Sequence, residues 1–283
     1  MRMRGLALAA LCAALGAPLA ALGQSAQPSP PAFAQSLPDL APEAPALAAA
    51  GAREASTGDP DADATLAAIA DFQAQGMAGL GDHEAALRRV LADMPRPFVR
   101  ERVDGDKVIY RGDSMADCVA FAATRGTGPK STFTCLGNPY AVAGFYLGSF
   151  LNEARRYDEA LAVLDLGLEA APNSPALITE RNATFFGLRR FDDALAAAKR
   201  GLAIPNLSPH DAARLQRNLG NALTELGRLG EAEQAYRESL QLEPSNPLAL
   251  NELRYIARLK NGGAAEPGVV FRPNAPGQPS TPP

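Results

Sequence analysis

Tryptophan is absent from these 283 residues, aromatic side chains make up 6% of them, and there are only two histidines and three cysteines. Each scarcity removes a class of function. His83 and His210 stand at no metal-ligand spacing from one another or from a cysteine, so no metal site can be read. No Ser-His-Asp order, phosphate loop or catalytic carboxylate pair can be singled out, so the chain is expected to be no enzyme and to need no cofactor. The net charge is −4 and the positive charges are spread out, which leaves no basic footprint for nucleic acid. Asp59, Asp61 and Asp63 have the spacing of a calcium loop, but Ala64 and Ala70 occupy the places of its glycine and closing glutamate. Those aspartates read instead as a helix start capped by Asp61 or Asp63.

What is present begins with a signal. Arg2 and Arg4 precede the apolar run Gly5 to Ala21, and Ala21-Leu22-Gly23 offers small residues at a cleavage spacing, leaving Gln24 as the mature start. Residues 1–23 are expected to be a secretory signal peptide. The rival is an uncleaved anchor, but the run is short for a span of about 20 residues and Pro18 interrupts it. A lipid anchor at Cys12 is disfavoured by the bulky Leu11 before it. No second apolar run of membrane length follows, so the mature chain is expected to be exported without a membrane span, to a bacterial periplasm. Residues 24–60 are rich in Pro, Ala, Ser and Gly, a composition that cannot offset its own ordering entropy, and read as a disordered tether.

Removal of Cys12 leaves Cys118 and Cys135. In an oxidising compartment two cysteines read first as a disulfide, stabilising by about 3 kcal/mol for a loop of this size. The alternative is a reactive thiol, with 62–137 an enzyme module and Cys118 its nucleophile; the spacing is not that of a Cys-x-x-C motif and no histidine lies nearby in sequence. Helices are expected at about 62–75 and 82–94, linked through Gly76 to Gly81, then a hairpin of Phe98 to Val103 with Val108 to Arg111 across Asp104-Gly105-Asp106-Lys107. A short helix Met115 to Thr124, a loop Gly126 to Lys130 and a strand Ser131 to Cys135 complete 62–137 as a small α+β cap.

From 138 to 259 one phrase returns three times: Arg-Arg-Tyr-Asp-Glu-Ala-Leu at 155–161, Arg-Arg-Phe-Asp-Asp-Ala-Leu at 189–195 and Gly-Arg-Leu-Gly-Glu-Ala-Glu at 227–233. Its alanines Ala160, Ala194 and Ala232 are 34 and then 38 residues apart. A helical period near 34 resembles the tetratricopeptide repeat. Segments 141–174 and 213–246 carry that family's small and large positions (Leu147-Gly148, Ala160, Leu164, Gly167, Pro172; Leu219-Gly220, Ala232, Tyr236, Ser239, Pro244). In 175–208, Arg181-Asn182 replace the Leu-Gly pair and proline comes early at Pro205. Asn182 should loosen the helix contact there or hydrogen-bond across it. Four extra residues fall at 206–211, where Ser208, Pro209 and Asp211 form a helix start. Pro247 to Leu259 reads as a solvating cap helix, and 260–283 as a disordered tail.

The resemblance implies a mainly α fold of helical hairpins, an α-solenoid, whose first helices line a concave groove for a protein or peptide partner. The groove positions are Val142, Phe145, Ser149 and Asn152; Ala176, Thr179, Ala183 and Phe186; Arg214, Arg217, Asn221 and Thr224; and Asn251 and Tyr255. The binding residues singled out are Phe145, Asn152, Thr179, Phe186, Arg214, Arg217 and Asn221, apolar at one end and cationic and amide-rich at the other. The chaperone-binding carboxylate clamp of some relatives needs lysine and asparagine where Phe145 and Ser149 stand, and is disfavoured. The rival is that the aromatics pack inward and the arginines are a solvated face. The other functional reading is self-association or envelope-complex assembly through the convex face or 62–137. Asn182-Ala183-Thr184 matches a glycosylation sequon, placed mid-helix.

Overall fold

The computed structural model describes residues 59–125 and 132–263. The signal, nearly all of the tether, the 126–130 loop and the 264–283 tail lie outside them.

Helix α1, Pro60–Gln75, starts two residues earlier than the sequence spacing suggests, because Asp59 is its cap: Asp59 Oδ1 accepts from the Asp61 and Ala62 amides at 3.0 and 3.3 Å. Asp61 and Asp63 instead sit in the first turn, where their charge favours the helix dipole. The glycine link is not a loop. It forms a short helix α2, Met77–Asp82, before α3, Glu84–Ala92. Gly79 permits this, since a Cβ there would lie 2.4 Å from the Asp71 carbonyl oxygen. His83 ties the corner to Asp71 at 2.7 Å.

Strands β1, Glu101–Asp104, and β2, Lys107–Gly112, form the expected antiparallel hairpin, with Gly105 at φ 59° in the turn. Helix α4, Met115–Arg125, then returns the chain to β3, Thr132–Gly137, which pairs parallel to β2 with Tyr110 opposite Cys135. Tyr110 stacks on Phe121 at 4.0 Å, and Phe121 reaches Phe133. Cys118 on the buried side of α4 and Cys135 in β3 stand with Cα atoms 6.0 Å apart, inside the range a disulfide spans.

The remaining chain is three helical hairpins and a final helix: α5, Pro139–Glu153, with α6, Tyr157–Ala170; α7, Pro175–Gly187, with α8, Phe191–Leu202; α9, Pro209–Glu225, with α10, Leu229–Leu242; then α11, Pro247–Lys260. Each first helix starts with a capping side chain followed by proline, at Asn138, Ser174, Ser208 and Asn246. Each hairpin turns in three residues through a left-handed backbone at Arg155, Arg189 or Gly227. The amides of Arg156, Arg190 and Arg228 then close back on the carbonyls of Leu151, Phe185 and Leu223, all at 2.8 Å. The same arginines reach the acid three residues on, Glu159, Asp193 and Glu231, each at 2.7 Å. The repeated phrase is therefore a turn with its own clamp. The extra residues at 206–211 are divided between a longer connection and the 17-residue α9.

Within a hairpin the helices meet at glycine. A Cβ on Gly144 would lie 2.7 Å from Gly167 Cα, and one on Gly148 or Gly220 would enter the Leu164 or Tyr236 side chain. In the middle hairpin Asn182 takes the glycine's place and hydrogen-bonds across, its Nδ2 donating to the Ala194 carbonyl at 2.6 Å. Helices α1 and α3 complete the row. Phe72 packs edge-on against Tyr146, while Glu84 and Arg88 join Arg156 and Glu159. One core cluster runs without a break from Ala68, Leu87 and Val90 into Leu147, Leu164 and Leu177. The α1/α3 hairpin thus covers the end of the stack, and β1–β3 with α4 project from its connection to α5. Arg100 and Asn138 fasten that projection to the Ala170 carbonyl at the end of α6.

Gly144→Ala should destabilise the chain by about 1–3 kcal/mol despite alanine's better helix propensity, because backbone on both sides cannot retreat. Gly230→Ala, with nothing within 4 Å of the new Cβ, should stabilise by up to about 1 kcal/mol. Urea unfolding of both variants checks the contrast.

Candidate partner-binding face

The first helices α5, α7 and α9 pack in sequence, α11 packs on α10, and the groove positions recur at the same places along all four. Their side chains are largely drawn inward. Phe145 is buried against Tyr146, with ring centroids 5.2 Å apart, and Phe186 against Phe191 at 5.7 Å. Asn152 is buried and bridges to the next helix. Its Nδ2 donates to the Glu180 carbonyl at 3.2 Å and its Oδ1 accepts from Thr184 Oγ1 at 2.9 Å. Thr179 is buried beside them.

The arginines do not form a solvated face. Arg214 is 4% exposed and pairs with Asp211 on its own helix at 3.0 Å. Arg217, 9% exposed, donates to Ser239 Oγ at 3.1 Å and to Glu243 Oε2 at 2.5 Å. Glu243 closes α10 and also takes His210 at 2.7 Å and the Asn246 amide at 2.9 Å. Burial works to raise the Glu243 carboxyl, but Arg217 and His210 outweigh it and hold it below the usual range. Asn221 is half-buried and accepts from the Tyr236 hydroxyl, and Thr224 returns to the Gly220 carbonyl. The surface between these anchors belongs to Val142, Ala176, Ala183 and Asn221, all partly exposed, and to Asn251, exposed on α11.

Three glutamates matter here that the sequence reading passed over: Glu180, Glu243 and Glu252. Burial pushes Glu180 up to about 7, with the Asn152 amide and the charge of Arg214 pulling partly back. Glu252 is pushed up to about 7 as well, by burial and then by Glu225. A signal existed. Tyr146, Glu180, Asn218 and Glu252 occupy the same place in successive first helices, and the place is uncharged in two of the four.

The sequon is closed to modification in the folded chain, since Asn182 and Thr184 are fully buried and the Asn182 amide is engaged. Cys118 is buried too, its sulfur packed against Gly112 and facing Cys135. Among the described residues no three His, Cys, Asp or Glu side chains gather as metal ligands, and no helix is long and apolar enough to cross a membrane.

Residues 213–246, the α9/α10 hairpin, match the family model of the tetratricopeptide repeat. The stack is of that class: tetratricopeptide-repeat helical hairpins with a small α+β element at the N-terminal side. The chain is 37% identical over 103 residues to human RNA polymerase II-associated protein 3, covering 36% of this chain and 15% of that protein. It is 33% identical over 119 residues to yeast heat shock protein STI1, covering 41% of this chain and 19% of that one. The chain therefore spans less than a fifth of the length of these relatives. A solved structure described as the first TPR of Spaghetti (RPAP3) bound to HSP90 peptide SRMEEVD shares 28% identity and a TM-score of 0.41, over 44% of this chain and 97% of that one.

Arg217→Met should cost about 1–3 kcal/mol, because it leaves Glu243 partly buried without its main counter-charge. Arg237→Met, at an exposed pair with Glu233, should change stability by no more than about 0.5 kcal/mol. Chemical denaturation distinguishes the two.

Proposed function

We propose that this chain is an exported tetratricopeptide-repeat scaffold that holds an extended protein or peptide segment along α5, α7, α9 and α11. The observation that carries the reading is the register of those four helices. They repeat the same places, so one face offers Val142, Ala176, Ala183, Asn221 and Asn251 to a chain lying across them. Buried Phe145, Asn152, Thr179, Phe186, Arg214 and Arg217 act as the wall behind that face. They set its shape and its charge. The relatives' repeats support a binding role in kind, but with Phe145 and Ser149 at the clamp places the ligand chemistry belongs to this chain.

The N-terminal Arg2/Arg4 and apolar run support export to a bacterial periplasm, with cleavage before Gln24. The placement of Cys118 opposite Cys135 supports a disulfide there, pinning α4 to β3.

A second reading, self-association or complex assembly through the 62–137 region, is favoured by one observation. Val99, Val103, Met115 and Val119, among the large apolar side chains most exposed, all lie in or beside the β1/β2/α4 projection. Sedimentation of the mature chain over a range of concentrations separates the two; a monomer throughout removes a homo-oligomer.

Crosslinked affinity capture from the native cell envelope tests the groove. Arg217 and Phe186 are unsuitable sites for it, because charge changes at buried positions would unfold the wall. Ala183→Glu with Asn251→Glu should instead keep the wild-type melting temperature and lose the captured partner; a partner retained by the variant would place binding elsewhere. Thiol labelling of native protein should modify neither Cys118 nor Cys135 until a reductant is added. Labelling without reductant removes the cross-link and returns Cys118 to the list of reactive thiols.

A further inference from the structure

Strand β1 is paired along one side alone. The sheet runs β1-β2-β3, so β2 is the centre and β1 is an outer strand. The Arg111 amide donates to the Arg100 carbonyl at 2.9 Å, and along an antiparallel ladder bonded and unbonded pairs alternate. Arg102, opposite Ile109, and Asp104, opposite Lys107, therefore bond to β2. The amides and carbonyls of Glu101 and Val103 point the other way, and no other described group takes them up.

Helix α4 does not cover this edge. It packs on β2 through the Tyr110–Phe121 stack and leaves Val108 and Tyr110 buried. Val103, opposite Val108 on the same face, is 57% exposed. On the other face the Arg102 and Asp104 side chains are 76% and 65% exposed and lie 3.9 Å apart. Charges commonly guard an outer strand against pairing. Here they flank Val103 with opposite signs, which excludes most pairings and admits one.

We propose that β1 pairs antiparallel with β1 of a second copy, about a two-fold axis through Val103, to give a six-stranded sheet. In that register the two Val103 residues exchange both of their free backbone hydrogen bonds and cover one another's side chains. Arg102 of each copy falls opposite Asp104 of the other, so the attraction is made twice. Glu101 falls opposite Gly105 and meets no charge. Moving the axis to Arg102 sets two arginines against each other, and moving it to Asp104 sets two aspartates. An axis between residues faces each free amide with a carbonyl already bonded to β2. The proposal deepens the self-association reading above and rests on it. Capture in the groove is independent, because α5, α7, α9 and α11 contribute nothing to β1.

Sedimentation equilibrium of the mature chain is the test, run beside R102D, D104R and an equimolar mixture of the two variants. The wild type should pass from monomer to dimer as its concentration rises. Each variant alone meets like charge twice and should dissociate about tenfold more readily or worse. The mixture restores opposite charges at both contacts and should dimerise at the wild-type concentrations, a recovery that variants unable to fold could not give. A wild type that stays monomeric throughout overturns the strand pairing and the homo-oligomer reading together. A dimer that survives in either variant alone, or a mixture no stronger than its components, overturns pairing through β1 and leaves self-association to another surface.

Discussion

The three-residue turn between paired helices is the constraint on which this architecture depends. With one left-handed residue and a carbonyl five residues back accepting the closing amide, the chain has a single way to reverse at Arg155, Arg189 and Gly227. Reversal fixes the distance at which the second helix starts, and the glycines then decide how near the two can lie. Gly144 and Gly167 bring backbone against backbone. Because the same turn and the same approach recur, the first helices fall into one row without any contact having to specify the groove as a whole. The arginine that follows each turn adds little energy at the surface. Its value is local: it ties the turn to the first turn of the next helix.

The face produced by this repetition is less open than the positions suggest. Side chains named by register as contacts are in large part the wall of the groove, held by partners in neighbouring helices. Arg217 shows why. Its Nη1 donates to both Ser239 and Glu243, the carboxylate that also takes His210, and drawing it away to a ligand would strand Glu243. Small and amide side chains, Ala176, Ala183 and Asn251, are what a ligand would touch. Such a surface recognises main chain and shape before it recognises charge.

How much of this was legible in the sequence follows from how local each cause is. The hairpins were legible because their determinants lie within about ten residues of one another, in the Arg-Arg-Tyr-Asp-Glu-Ala-Leu phrase and the small residues around it. The α1/α3 hairpin was not legible as part of the row, since residues 93–138 stand between it and α5 and destroy the phase. Asp59 was passed over as the cap because the choice among three alternate aspartates depends on where Pro60 allows the helix to begin and on Arg111, 52 residues away. The parallel pairing of β3 with β2 had no sequence signal beyond the crossover helix itself. Burial of the groove residues was not legible for the same reason. The partner of Asn152 is Glu180, and only the stacked helices bring them together.

Where the stack places its polar groups also distributes its rigidity. The middle hairpin is where the two apolar clusters divide: Leu177, Ile178 and Leu215 belong to one, and Phe185, Phe186, Ala194 and Ala222 to the other. Buried polar side chains gather at the same place, Thr179, Glu180, Asn182 and Thr184 on α7 and Arg214, Arg217 and Thr224 on α9. The cost of burying such a group is offset by the partner it finds, as Asn182 does at the Ala194 carbonyl and Arg217 at Ser239 and Glu243. The centre of the row is therefore held by directional bonds as well as by packing, and a directional bond admits fewer arrangements than an apolar contact does.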